Sequence, residues 1–222
     1  MSNFRRVTRF GIVNVFLVSE EDGLTVIDTA LPGSTGAIAK AAEEIGAPIK
    51  RILLTHGHGD HVGSLDVLHE RFPEAQVLIS ARDARLLDKD TSLDPGEPQT
   101  KIKGSIPGTE TKPDVELQPG DSVGSLQAVA APGHTPGQLA FLDSRDQTLY
   151  CADAYSTLGG VATCAKTNPL FPLPALATWH KPTALETAKQ LRALNPARLA
   201  PGHGKVVESP GEAMDRAITR AS

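Results

Sequence analysis

The chain has 222 residues, with 22 Lys and Arg against 26 Asp and Glu, a formal net charge of -4 and 40% apolar residues. That length suits one α/β domain over residues 1–222 with a buried core, the acidic balance excludes a basic field for nucleic acid, and no apolar run approaches the ~20 residues of a membrane span. The opening run Met1-Ser2-Asn3-Phe4-Arg5-Arg6 lacks the apolar centre of a signal peptide, and two cysteines make no disulfide framework, so a cytoplasmic location is expected.

In chain order, Val13 to Val18 and Leu24 to Asp28 read as a hairpin turning at Glu20 to Gly23. Ser34 to Ile45 reads as a helix with Ser34 as N-cap and Gly46 as its stop. Arg51 to Thr55 is a short buried strand. Leu65, Leu68 and Phe72 recur at helical spacing, and Gln76 to Ile79 follows as a strand. A second set of strands is expected over about Val115 to Ala152, then a helix at Thr183 to Leu194, a strand at Arg198 to Ala200 and a last helix from about Pro210. This alternation in two halves fits helices flanking sheets. Two segments fall outside the pattern. Residues 89–113 are rich in Pro, Gly, Thr, Asp and Lys and read as a lid or pocket wall, or equally as a solvated excursion. Residues 155–180 hold Leu170, Phe171, Leu173, Leu176 and Trp179, either an apolar substrate wall or side chains that pack onto the core.

The strand ending at Thr55 runs straight into His56-Gly57-His58-Gly59-Asp60-His61. In extended backbone, residues i and i+2 point the same way, so His56 and His58 can converge on one ion. Asp60 and His61 start the next helical pattern and can turn toward a second point. Three further candidate ligands stand in small-residue turns after strands: His134 in Pro132-Gly133-His134-Thr135-Pro136-Gly137, Asp153 after Cys151-Ala152, and His203 in Pro201-Gly202-His203-Gly204. Seven N/O donors are too many for one closed structural site and fit two ions with open positions. Zn(II) suits such donors, with Fe, Mn, Ni or Co as alternatives. His69 and His180 lie outside this set and read as solvated or locally hydrogen-bonded residues.

On these motifs the sequence resembles the metallo-β-lactamase superfamily. The His-x-His-x-Asp-His run, a later Gly-His, a later Asp and a final Gly-His stand in the family's order, from about Val13 to the C-terminal helix. The resemblance implies a four-layer αββα sandwich of α/β (α+β) class with a dinuclear zinc site. Carried over, His56, His58 and His134 would hold the first metal, Asp60, His61 and His203 the second, and Asp153 would bridge. Asp28, in Val26-Ile27-Asp28-Thr29-Ala30, would support a ligand rather than bind metal. Gly63-Ser64 replaces the family's common Gly-Gly. Neither Cys151 nor Cys164 stands at a ligand position, and the bridging Asp disfavours antibiotic hydrolysis. The pattern is nearer to the glyoxalase II and lactonase branches, and the glutathione-binding helical domain of the former is not expected within these 222 residues. Lactonases carry a Tyr three residues after the bridging Asp, whereas Tyr155 comes two after Asp153.

The implied chemistry is hydrolysis of a small-molecule ester, lactone or thioester by a hydroxide bridging the two metals. Metal binding lowers the pKa of water from 15.7 to ~7, and two Zn(II) less two carboxylates and a hydroxide leave a charge of about +1 for the developing oxyanion. Asp60 is the expected proton shuttle. Tyr155 is a candidate oxyanion donor, although a packed Tyr is the plainer reading. The alternatives on the same scaffold are a phosphodiesterase, an iron persulfide-dioxygenase-like oxidoreductase and a metal-binding scaffold without catalysis. No nucleic acid or membrane partner is expected, and a homodimer is left open.

Overall fold

The computed structural model describes residues 3–222, which form two compact units. The first comprises residues up to 89 together with 105–118, and the second comprises 90–104 and 119–222.

The first unit is built on a six-stranded sheet. β1 (Phe4–Arg9), β2 (Val13–Glu20) and β3 (Gly23–Ile27) form an antiparallel meander. α1 (Thr35–Ile45) carries the chain to β4 (Ile49–Leu53), parallel to β3. α2 (Gly59–Val62) and α3 (Leu65–Arg71) precede β5 (Gln76–Ser80), and α4 (Ala81–Leu87) precedes β6 (Val115–Leu117), each new strand parallel to the last. β2 is buried without a break from Val13 to Val18, five apolar residues and the polar Asn14, as an interior strand should be. β1 is an edge strand, and Arg5, Arg6 and Arg9 blunt it; those charges hid it from an apolar-pattern reading. α1 stops at Gly46, whose φ of 80° lets its N–H reach the carbonyls of Ala42 and Glu43. Leu17, Val26, Ile52 and Val77 from the strands pack with Ile38, Leu65 and Leu68 from the helices.

The second unit has its own six-stranded sheet. β7 (Ser122–Val123), β8 (Leu126–Ala130), β9 (Leu139–Asp143) and β10 (Thr148–Ala152) run antiparallel in succession. A small hairpin follows, β11 (Tyr155–Ser156) with β12 (Ala162–Thr163), then α5 (Leu173–Ala177) and α6 (Lys181–Ala193). β13 (Arg198–Pro201) returns parallel to β10, β14 (Val207–Glu208) closes the sheet's edge, and α7 (Gly211–Ala221) ends the chain. Leu149, Ala188, Leu191, Leu199 and Met214 form its core.

The mixed α/β class expected from the sequence is the one observed. The strands expected over Val115 to Ala152 divide, with β6 in the first unit's sheet and β7 to β10 in the second's. α6 starts earlier than expected because His180 acts as its N-cap, its ring nitrogen accepting from the Thr183 N–H. Among the described residues, no helix is long and apolar enough to cross a membrane.

Candidate metal centre

In the first unit the donors lie just past β4. Asp28 follows β3 with φ 62°, a left-handed conformation that Asp tolerates better than most residues. Its carboxylate accepts the Thr55 N–H at 2.8 Å, the Thr55 hydroxyl at 2.9 Å and the Nδ1–H of His61 at 2.7 Å. A threonine hydroxyl has one proton, and that of Thr55 goes to Asp28. Its oxygen, 3.0 Å from His56 Nδ1, is therefore the acceptor of that ring's N–H. Both rings are thereby set as Nδ1–H tautomers with Nε2 as the donor atom for a ligand. His56 lies with its ring centroid 4.8 Å from that of His58 and 4.1 Å from that of His61, and all three rings are buried. Asp60 is the accessible member, with 35% side-chain exposure and a carboxylate oxygen 3.9 Å from His61 Nε2.

Two supports brace this turn. Asp83, in the first turn of α4, accepts the Gly57 N–H at 3.1 Å, while Ser80 caps that helix by accepting the Asp83 N–H at 3.0 Å. A Cβ on Gly57 would stand 2.6 Å from that of Leu86, so the residue between the two imidazoles has to be glycine. From the other side, the Ser105 carbonyl accepts the Gly59 N–H at 2.9 Å, and Asp66 accepts the N–H groups of Glu110 and Thr111 at 3.2 and 2.8 Å. The 105–111 stretch is thus tied to the motif rather than a free excursion. With Leu31, Gly59 and Asp60, residues Ser105 and Pro107 line a cavity of about 340 Å³. In the second unit, Thr100 holds Trp179 by a 2.7 Å bond from the indole N–H to its carbonyl.

The second unit carries three candidates of its own, His134, Asp153 and His203. His134 follows β8 in a tight turn at Gly133, whose φ is 128° and whose Cβ, if present, would lie 2.4 Å from the Ala184 backbone nitrogen. The Thr178 hydroxyl donates to the Pro174 carbonyl at 2.8 Å, so it accepts from His134 Nδ1 at 3.1 Å, which leaves Nε2 of that ring as the donor atom. At the end of β10 the pairing with β13 slips between Tyr150 and Ala152, and Ala152 takes φ 46°. This irregularity re-aims the next side chain, Asp153. Its Oδ2 lies 3.4 Å from His134 Nε2 and 3.2 Å from His203 Nε2, and all three residues are buried. The Phe171 ring packs on His203 with centroids 5.1 Å apart.

These spacings are a test of fit. Two ligand atoms each ~2.1 Å from a tetrahedral ion lie ~3.4 Å apart. The Asp153 oxygen and its two flanking imidazole nitrogens have that separation, beyond the ~3.2 Å of good hydrogen bonds or at its edge. The residues fit a transition-metal ion bound through nitrogen and oxygen.

Tyr155 does not fit an oxyanion role. It is fully buried, its hydroxyl donates to the Ala188 carbonyl at 2.7 Å, and burial holds its phenol protonated far above the ordinary range. Cys151 and Cys164 are buried thiols; burial pushes Cys164 up to about 12, and neither joins a donor group. His180 bonds Thr183 locally, and His69 lies half-buried on α3. Asp83 and Thr178 escaped the sequence reading. The Ser80-x-x-Asp83 spacing signals the start of α4, but nothing local shows that Asp83 reaches Gly57 or that Thr178 underlies His134.

Residues 8–203 match the metallo-β-lactamase superfamily. The Bacillus subtilis (strain 168) protein named "Uncharacterized protein YobT" is 51% identical over 210 residues, covering 94% of this chain and 90% of its own length. A hydroxyacylglutathione hydrolase of Synechococcus sp. (strain JA-2-3B'a(2-13)) is 32% identical over 145 residues, which are 63% of this chain and 47% of that relative. Among solved structures, the BLEG-1 B3 metallo-β-lactamase shares the fold, with a TM-score of 0.71 and 20% identity over 96% of each chain.

Proposed function

Since the chain belongs to the metallo-β-lactamase superfamily, we propose that it is a dinuclear metal-dependent hydrolase of small carboxylic esters, lactones or thioesters. In this reading His56, His58 and His134 would hold one ion and Asp60, His61, Asp153 and His203 the other, with Asp153 the candidate to serve both. The observation that carries it is Asp153 Oδ2 held between two imidazole Nε2 atoms at ligand-to-ligand spacing. Zinc is the cation that the donor set suits best, with Fe, Mn, Ni or Co able to use the same atoms. When bound, the cations would supply a water of lowered pKa and a Lewis acid for a carbonyl oxygen.

The chain's own contribution is placement. Asp28, Thr55 and Thr178 fix imidazole tautomers before any ion arrives, as carboxylate and hydroxyl partners do at metal sites generally. Phe171 covers one side of His203 and excludes water there. Asp60 is the one donor with substantial solvent access, which suits it to pass a proton to a leaving oxygen or sulfur. Tyr155 has no part, because its proton is committed to Ala188. The thioester option draws support from the named activity of the Synechococcus relative. A cytoplasmic setting and a small-molecule substrate complete the reading.

The test is a panel of lactones, thioesters, aryl esters, phosphodiesters and β-lactams, assayed on protein whose metal content has been measured. Carbonyl substrates should dominate, with activity lost on chelation and restored by two equivalents of Zn(II). A preference for phosphodiesters, or a single Fe with oxygen uptake, would replace the proposal.

A further inference from the structure

A cavity of about 850 Å³ opens in the second unit between the 159–169 segment and α7. That volume lies within the range of small-molecule sites. None of its lining residues belongs to the metal donor groups. Its walls carry three cations, Lys166, Arg216 and Arg220, and no carboxylate. Lys166 Nζ donates to the Arg220 carbonyl and Arg220 Nη2 to the Val161 carbonyl, both at 2.5 Å. Those partners are neutral, so they hold the two side chains in place without cancelling their charge. Arg216 pairs at 3.3 Å with Glu212 one turn earlier on α7, where both side chains are exposed. Such a pair is weak and gives way readily to a better anion.

Thr163, on β12, also lines the cavity. The remaining wall is apolar, from Val161, Ala162, Pro169, Ala213 and Ala217.

We infer that this cavity binds a small amphiphilic anion, a carboxylate or phosphate monoester on a short apolar body. The anionic group would meet Lys166, Arg216 and Arg220, and the apolar body would lie along the alanine and valine wall.

The experiment is calorimetric titration of the metal-loaded protein with octanoate, octyl phosphate and octanol as probes, repeated on Arg216→Gln and Lys166→Gln. Arg216 is exposed and caps no helix end, so its variant should fold normally, as circular dichroism will check. One equivalent of at least one anionic probe should bind, octanol should bind much more weakly, and Arg216→Gln should weaken the anion about tenfold. Tighter binding of octanoate would identify a carboxylate ligand, and of octyl phosphate a phosphate monoester. Three results would overturn the inference: no saturable binding of either anion, octanol binding as well as they do, or binding that is abolished by chelation and indifferent to both substitutions.

Discussion

Replacing Tyr155 with Phe separates a structural from a catalytic tyrosine. The change removes one hydroxyl, fully buried, and its 2.7 Å bond to the Ala188 carbonyl. A buried neutral hydrogen bond contributes about 1 kcal/mol net. Ala188 lies inside α6, whose own ladder still serves that carbonyl, so the loss should not exceed this value. In a chain of this size about 1 kcal/mol lowers the melting temperature by ~2–4 °C. Loss of a true oxyanion donor instead costs ~100- to 1000-fold in kcat. Thermal denaturation and ester turnover, both on protein matched for metal content, should therefore show a small drop in melting temperature and an unchanged kcat. A hundredfold loss of kcat at unaltered stability would refute the assignment of that proton to Ala188.

Asp153→Ala should release at least one metal equivalent and abolish hydrolysis; full turnover with one metal bound would exclude the dinuclear mechanism. Asp28→Asn preserves size and left-handed backbone but weakens the hold on His61, and competition against a chelator should show metal affinity falling ~10- to 100-fold. Gly133→Ala adds a Cβ 2.4 Å from the Ala184 nitrogen at a φ of 128°, and chemical denaturation should report a loss of about 1–3 kcal/mol or more. Burial raises the Cys164 thiol to about 12, so it should resist iodoacetamide at pH 8 in the native protein and react once unfolded. The unfolded thiol ionises near ~8.5 while the folded one stays protonated, so its contribution is complete below that pH and declines as pH rises toward the folded value.

Much of the fold was legible because its signals are local. The largely apolar run of β2, the Gly46 stop after α1 and the glycine-spaced histidines after β4 can all be read within a few residues. The candidate donors were legible for the same reason, since they stand among glycines and other small residues just past strands. What could not be read depends on distant partners. Asp83 reaches Gly57 from another element, and Thr178 meets His134 across 44 positions. Tyr155 looked available because it follows Asp153 so closely, but its hydroxyl turns into the core beneath α6. The 89–113 segment has no apolar period, so nothing local shows that its later half is stitched to Gly59 and Asp66.

The threonines behind His56 and His134 carry an evolutionary implication. Each hydroxyl passes its only hydrogen onward, so the neighbouring imidazole cannot swap tautomers without breaking a second contact. An isosteric change to valine at either place would preserve shape and donor identity while unlocking that choice. Two descendants with the same seven candidate donors could then present different ring nitrogens to a cation.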